Sequence, residues 1–143
     1  TKAEEFINMI ENTSMAKTYK MPVLLAFYNY GKLKIRINEE DIYDSFKNFY
    51  AKGSNAVDLF NQKSTEGFKD WGKKQWYKLA KDNPLKFLAK TEKEFFYFDG
   101  EDYCLNEALE DFAASKVFMR NFKDVVDLRT REYYKNRVEN KKK

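Results

Sequence analysis

Histidine is absent from the sequence, and cysteine occurs once, as Cys104. The absence of histidine removes the commonest general base, the usual serine and cysteine catalytic triads and the preferred zinc ligand. Without a histidine to activate it, Cys104 is expected to be a core residue. The five glycines are dispersed and form neither a phosphate-binding loop nor a dinucleotide-binding motif. These absences argue against a self-contained enzyme, and no catalytic residue, cofactor or metal is expected.

Turn-forming residues are also scarce, with 5 glycines and 2 prolines against 13 Phe, 10 Tyr and 2 Trp. Few turn residues argue against a β-sandwich or barrel. Aromatic side chains bury large areas, so we expect an aromatic core. A chain of 143 residues fits one domain. We predict a single compact domain over residues 1–138, followed by a basic, disordered tail over residues 139–143.

No apolar run in the sequence approaches the roughly 20 residues that span a bilayer. The longest, MPVLLAFY at residues 21–28, is expected to form a buried helix. No signal peptide is visible, and a lone cysteine does not require an oxidising compartment. We therefore expect a cytoplasmic piece of a larger protein, without a membrane partner.

Apolar spacing predicts a mainly helical domain with a small β component. Clean alternation in KLKIRI, from Lys32 to Ile37, predicts a strand, and Asn38 is expected to cap the next helix. The Asp99-Gly100 pair between two aromatic runs predicts a β-hairpin, which could join that strand in a three-stranded sheet. The predicted helices cover about residues 2–10, 23–28, 39–50, 65–81, 84–88, 107–113 and 116–138.

The predicted order over residues 65–105 is helix, turn, helix and hairpin, which is the order of a winged helix-turn-helix. Three carboxylates, Asp99, Glu101 and Asp102, cluster at the hairpin tip, where they could hold a hard cation. Turn formation and protection of a sheet edge explain them more simply. An acidic tip would also repel phosphate, so we expect this hairpin to be structural.

Basic residues are concentrated in two segments, although the formal net charge is only +4. Residues 69–93 carry eight basic and three acidic residues, and residues 123–143 carry eight and four. Lysines on the predicted helix 65–81 would provide a salt-dependent surface for phosphate with little base specificity. These lysines are Lys69, Lys73, Lys74, Lys78 and Lys81. The alternative is an ordinary solvated helix surface.

The second basic segment places tyrosines among its arginines. Arginine can bind phosphate through two hydrogen bonds, and tyrosine can stack on an unpaired base. The alternative is that Tyr133 packs on the core and the rest of the segment is a solubilising end. The candidate nucleic-acid-binding residues here are Arg129, Arg131, Tyr134, Lys135 and Arg137.

The segment ENTSMAKTYKMPVLLAFYNYGKLKIRINEEDI, with the later SFKNFY, NPLKFLAK and FFYFDGEDYCLNEAL, resembles the C-terminal extension of some bacterial DEAD/DEAH-type (superfamily 2) helicases. The resemblance covers nearly the whole chain. Some of these large proteins also carry a phospholipase D-like nuclease and are associated with restriction or phage defence. The resemblance implies an auxiliary domain that engages nucleic acid or a partner module. Motor motifs are absent, so ATPase activity does not carry over.

We therefore predict a non-catalytic accessory domain of a larger helicase or restriction-type protein, which binds nucleic acid through its Lys- and Arg-rich helices. DNA is favoured over RNA as the ligand. The alternative is a protein–protein docking domain for a motor or nuclease module, using exposed aromatic residues such as Trp71, Tyr77 or Tyr97. An independent metal-dependent nuclease ranks last.

Overall fold

The computed structural model describes residues 1–142, with side chains described through Arg137. The helices are α1 (Lys2–Asn12), α2 (Lys20–Ala26), α3 (Glu39–Ala51), α4 (Gly53–Ala56), α5 (Lys73–Ala80), α6 (Lys86–Thr91) and α7 (Lys116–Lys142). The strands are β1 (Tyr28–Asn29), β2 (Lys32–Leu33), β3 (Arg36–Ile37), β4 (Phe96–Asp99) and β5 (Asp102–Leu105). Single 3₁₀ turns occupy Val57–Leu59, Lys63–Thr65 and Phe68–Asp70, and a longer 3₁₀ helix occupies Glu107–Phe112.

The predicted fold class, mainly α with a small β component, is confirmed. The boundary between domain and tail stays a prediction, because α7 is described through Lys142 and Lys143 lies outside the described residues. No helix among the described residues is both long enough and apolar enough to cross a membrane.

The predicted strand from Lys32 to Ile37 forms as two short strands in different sheets. Leu33 of β2 pairs with Tyr28 of β1, whereas Ile37 of β3 pairs with Tyr103 of β5. Leu33 and Ile37 are both buried, as the alternation predicts. The prediction of one continuous strand is wrong, because the chain leaves one sheet and enters the other between them.

The hairpin of β4 and β5 forms the predicted three-stranded sheet with β3, in the order β3-β5-β4. Asp99 pairs with Asp102, so the two-residue loop is Gly100-Glu101, one residue later than the predicted turn. Gly100 has φ of +61°, a left-handed conformation that glycine adopts without steric cost. The guanidinium of Arg36 binds both Asp99 and Asp102. The tip carboxylates therefore neutralise a neighbouring strand's arginine, in keeping with a structural hairpin.

The helix predicted from residue 65 begins later, at Lys73, and continues without a turn into α6. Gly67, with φ of +76°, interrupts helical structure before that point. Pro84 lies inside a π-helical segment, Lys81–Leu85, that joins α5 to α6. The wider π-turn accommodates the proline ring, which would clash with a carbonyl group in a regular α-helix. The predicted helix start at Asn83-Pro84 is wrong, so the helix-turn-helix of a winged-helix domain is not formed here.

Two predicted N-caps are present at helix starts. Asn38 accepts a hydrogen bond from the backbone N–H of Asp41, and the Asp41 carboxylate accepts one from the backbone N–H of Asn38. This reciprocal capping box satisfies two donors that the first turn of α3 leaves unpaired. Asn106 accepts from the backbone N–H of Ala108, but the helix that follows it is 3₁₀ rather than α.

The core is aromatic, as expected from composition. Phe6 of α1 is fully buried, and its ring centroid lies 5.6 Å from that of Phe95 and 5.5 Å from that of Phe122. These contacts join α1 to the segment preceding the sheet and to α7. Edge-to-face aromatic pairs add to the stabilisation that burial alone provides.

Replacing Phe6 with alanine is expected to lower the free energy of unfolding by about 3–5 kcal/mol, because it removes the ring at the centre of this cluster. Urea denaturation followed by far-UV circular dichroism measures the change. Phe87→Ala, at a phenylalanine that is 44% exposed, is the matched control and should cost less than about 1 kcal/mol. Equal losses in the two variants would contradict the central place of Phe6.

Candidate nucleic-acid interface

The five lysines predicted to bind phosphate lie on the surface in and around α5, but in different electrostatic surroundings. Lys73 pairs with Glu40 of α3, and the hydrogen bond from Lys73 to that carboxylate raises the pKa of the lysine. Lys78 pairs with Asp82 one turn further along the chain. Lys73 and Lys78 therefore already have carboxylate partners within the protein.

Lys73 and Lys81 also line a cleft in which carboxylates outnumber lysines. Its acidic residues are Glu39, Glu40, Glu101 and Asp102. Negative charge at this position would repel a phosphate backbone. Of the remaining predicted lysines, Lys74 is exposed in the first turn of α5 and Lys69 lines a different cleft.

The Arg129 side chain joins α7 to the end of α1. Its Nη1 donates hydrogen bonds to the carbonyl oxygens of Ile10 and Glu11, each at 2.7 Å, and its Nη2 donates to Thr13 O at 2.8 Å. Helix α1 has no basic residue in its own last turn. Arg129 therefore supplies the cation and the donors that the C-terminal carbonyl groups of α1 need.

Further along α7, Tyr133 and Arg137 bind the buried carboxylate of Asp58. Its Oδ1 lies 2.9 Å from Arg137 Nη1 and accepts a 2.6 Å hydrogen bond from Tyr133 OH. Its Oδ2 accepts from both the backbone N–H and the hydroxyl of Thr18, each at 2.9 Å. The Asp58 side chain is fully buried, and these four donors replace the water that it loses.

Tyr134 belongs to the same polar network. Its hydroxyl donates to the carbonyl oxygen of Asn55 at 2.7 Å and lies 2.9 Å from Thr18 Oγ1. Burial, reinforced by the hydrogen bond to Asp58, raises the pKa of neighbouring Tyr133 to about 12. We name Thr18, Asp58, Tyr133, Tyr134 and Arg137 the Asp58 cluster.

These internal contacts engage Arg129, Tyr134 and Arg137, three of the predicted nucleic-acid-binding residues. Side chains that are held in this way are poorly placed to bind phosphate or to stack on a base. Arg131 and Lys135 are exposed on the surface of α7.

A second cleft, about 390 Å³ in volume, combines aromatic walls with positive charge. We name it the aromatic cleft. It is lined by Lys47, Tyr50, Ala51, Gly53, Ala56, Phe60, Phe68, Lys69, Trp71 and Trp76. Lys47 and Lys69 are the only charged residues in this lining among the residues whose side chains the structure describes, and none of those is a carboxylate. Pockets of about 300–1,000 Å³ are the usual size for small-molecule sites.

Packing among the aromatic residues builds the cleft. The Tyr50 and Trp76 rings are parallel with centroids 5.8 Å apart, and Trp71 meets Trp76 edge-on at 5.0 Å. Phe60 is 44% exposed and meets Phe68 edge-on at 5.3 Å. Tyr50 and Trp76 are buried, so they form the floor, while Phe60 and the half-buried Trp71 form the accessible walls.

The segment that carries Phe60 is held by local hydrogen bonds and by the Asp58 cluster. Leu59 is buried and its carbonyl oxygen accepts a 2.6 Å hydrogen bond from the Thr65 hydroxyl. The backbone carbonyl oxygen of Asp58 accepts a hydrogen bond from the Gln62 side chain. Because Asp58 and Leu59 are anchored inward, the next residue, Phe60, is left at the surface beside the cleft.

Sequence reasoning missed Lys47, Phe60 and Phe68 as members of a site. Lys47 lies on α3 and the others on an irregular segment, so no periodic pattern connects them. The available signal was the density of aromatic residues, Phe60, Phe68 and Trp71, between α4 and α5, where loops are usually polar. Trp71 was expected as an exposed docking residue and lies instead on the cleft wall.

No group of three or more His, Cys, Asp or Glu residues among the described residues is arranged to hold a metal ion. Searches against protein families, characterised proteins and solved structures found no significant match to this chain. Assignment to a helicase-associated family therefore stays a prediction.

Replacing Asp58 with alanine is expected to lower the free energy of unfolding by about 3 kcal/mol, because Arg137 and Tyr133 would lose their partner in a buried site. Urea denaturation measures the loss. Asp44→Ala, at an exposed carboxylate of α3, removes the same charge and should change stability by less than about 0.5 kcal/mol. Similar stabilities for the two variants would show that Asp58 does not hold α7 to the domain.

Proposed function

We propose that this chain is a non-catalytic nucleic-acid-binding domain of a larger protein. The observation that carries the proposal is the aromatic cleft, where Lys47 and Lys69 are the only charged residues of the lining as far as side chains are described. Phosphate contacts from lysine supply affinity, and aromatic surfaces accept bases whatever their sequence. A carboxylate-free basic cleft with aromatic walls combines both requirements.

The surface around the cleft carries both positive and negative side chains. Lys74 is exposed in the first turn of α5, two residues after the glycine that follows Trp71. Lys63 lies with Lys69 on the neighbouring loop cleft, which also carries Glu66 and Asp70. The aromatic cleft is therefore the centre of the proposed interface, and the acidic cleft beside Lys81 lies outside it.

The nature of the parent protein rests on the sequence resemblance. A helicase or restriction-type enzyme that acts in the cytoplasm would use such a domain to hold its DNA close to the motor or nuclease. Lysine is a point charge without the two-pronged geometry of arginine, so the domain would contribute affinity and positioning rather than sequence preference.

The double substitution Lys47→Glu with Lys69→Glu is expected to weaken DNA binding at least tenfold, because it reverses both charges in the cleft. Two lost phosphate contacts should also make the plot of log affinity against log salt shallower by about 1.4–1.8. Fluorescence anisotropy with labelled single- and double-stranded DNA over a range of salt concentrations measures both changes.

The matched control is Lys90→Glu with Lys116→Glu, which changes the net charge equally at exposed lysines on α6 and at the start of α7. This variant should keep the wild-type salt slope. Equal losses in the two double variants would show that binding follows overall charge, and unchanged binding in the cleft variant would remove the cleft from the interface.

Protein docking is the second candidate function, and the edge of the sheet favours it. Tyr97 and Phe98 lie on β4, an edge strand, and are 38% and 42% exposed, one on each face of the sheet. Exposed aromatic residues are common at protein interfaces. If β4 docks onto the rest of the parent chain, the two pieces should co-elute in size-exclusion chromatography, and Tyr97→Glu should separate them. Separate elution of the wild-type pieces would reject this role.

A further inference from the structure

We infer that the aromatic cleft receives an unpaired base, so that the domain selects single-stranded over double-stranded nucleic acid. This inference rests on the proposed function and adds the form of the ligand. Its basis is the juxtaposition of two accessible aromatic walls, Phe60 and Trp71, with two cleft lysines. A nucleotide carries a flat π-surface and a phosphate a short distance apart, and the cleft presents a partner for each.

The distance between Lys69 and Phe60 can be compared with the size of a nucleotide. Lys69 Nζ lies 5.2 Å from the centroid of the Phe60 ring, within the range of a cation–π contact. The cation and the ring are therefore separated by less than the length of one nucleotide. A base that stacks on the cleft wall would bring its own phosphate within reach of the same ammonium group.

The cleft requires an unpaired base because of what its walls can contact. In a duplex the base faces are covered by neighbouring bases, and only base edges and phosphates are accessible. Aromatic walls recognise faces, which single strands expose. A duplex could reach Lys47 and Lys69 but not the floor formed by Tyr50 and Trp76.

The positive charge of the cleft argues against cationic ligands, which other aromatic pockets bind. A quaternary ammonium ligand is recognised by aromatic cages, but Lys47 and Lys69 would repel it. Among the described residues, the cleft lining contains no arginine, asparagine or glutamine, which discriminate bases through paired hydrogen bonds. The ligand is therefore anionic and flat, and it is bound with little base preference.

The two tryptophans of the chain make this inference directly measurable. Trp71 and Trp76 are the only tryptophans in the sequence, and both line the cleft. Any quenching of intrinsic tryptophan fluorescence on ligand addition therefore reports on the cleft itself. The ligands compared are a 12-nucleotide oligothymidylate, an abasic oligomer with the same number of phosphates and a 12-base-pair duplex.

Oligothymidylate is expected to quench the tryptophan emission and to bind about tenfold more tightly than the abasic oligomer, which lies within the range for one stacked base. Phe60→Ala should remove most of this preference, and the salt slope should stay the same because both cleft lysines remain. Phe87→Ala, at a phenylalanine with the same 44% exposure, is the control and should keep the preference. Far-UV circular dichroism checks that both variants are folded.

The possible outcomes separate the inference from the proposed function. Equal, salt-dependent binding of all three ligands without quenching would overturn the inference and leave nucleic-acid binding intact. No binding of any ligand at low salt would overturn both. Polyglutamate that binds as tightly as oligothymidylate and quenches equally would also overturn the inference, since the cleft would then respond to anionic chains in general.

Discussion

A buried carboxylate, Asp58, connects the C-terminal helix to the segment that forms the aromatic cleft. Tyr133 and Arg137 bind it from α7, and Thr18 binds it from the segment that precedes α2. A charged group can be buried at this position only because several donors surround it, since desolvation alone would cost several kcal/mol. The position of Phe60, two residues further along the chain, depends on this anchoring.

Three contacts along helix α7 bind it to the rest of the domain. Phe122 packs against Phe6, Arg129 binds the carbonyl groups at the end of α1, and Arg137 binds Asp58. These residues recur about two turns apart, as one face of a helix requires. The sequence of α7, with its basic and aromatic residues, is typical of a nucleic-acid-binding helix. In the structure, these three residues instead bind other parts of the domain.

The surface lysines lie in two clefts that differ in their content of acidic residues. Lys73 and Lys81 share a cleft near the hairpin tip with four carboxylates. Lys47 and Lys69 share a cleft in which none of the described lining residues is a carboxylate. A basic segment in the sequence thus becomes two surfaces of different sign in space. A local cleft can attract phosphate even when the net charge of the chain is only +4.

Local structure could be predicted well wherever the responsible interactions are close in sequence. The capping box at Asn38, the hairpin around Gly100 and the alternation of Leu33 and Ile37 all depend on neighbours a few residues apart. The predicted break at Pro84 failed because tertiary packing and a π-turn keep the helix continuous. Propensity is a weak guide when packing favours the other conformation.

The amino-acid sequence by itself determined the mainly helical class, the hairpin and the aromatic character of the core. These features follow from periodicity, capping and turn chemistry, which act within one element or between adjacent elements. Only the tertiary structure decided which cations are engaged, as Arg129 and Arg137 are, and which share a cleft, as Lys47 and Lys69 do. The physical reason is that burial and charge pairing depend on contacts between residues far apart in the chain, and no local pattern encodes those contacts.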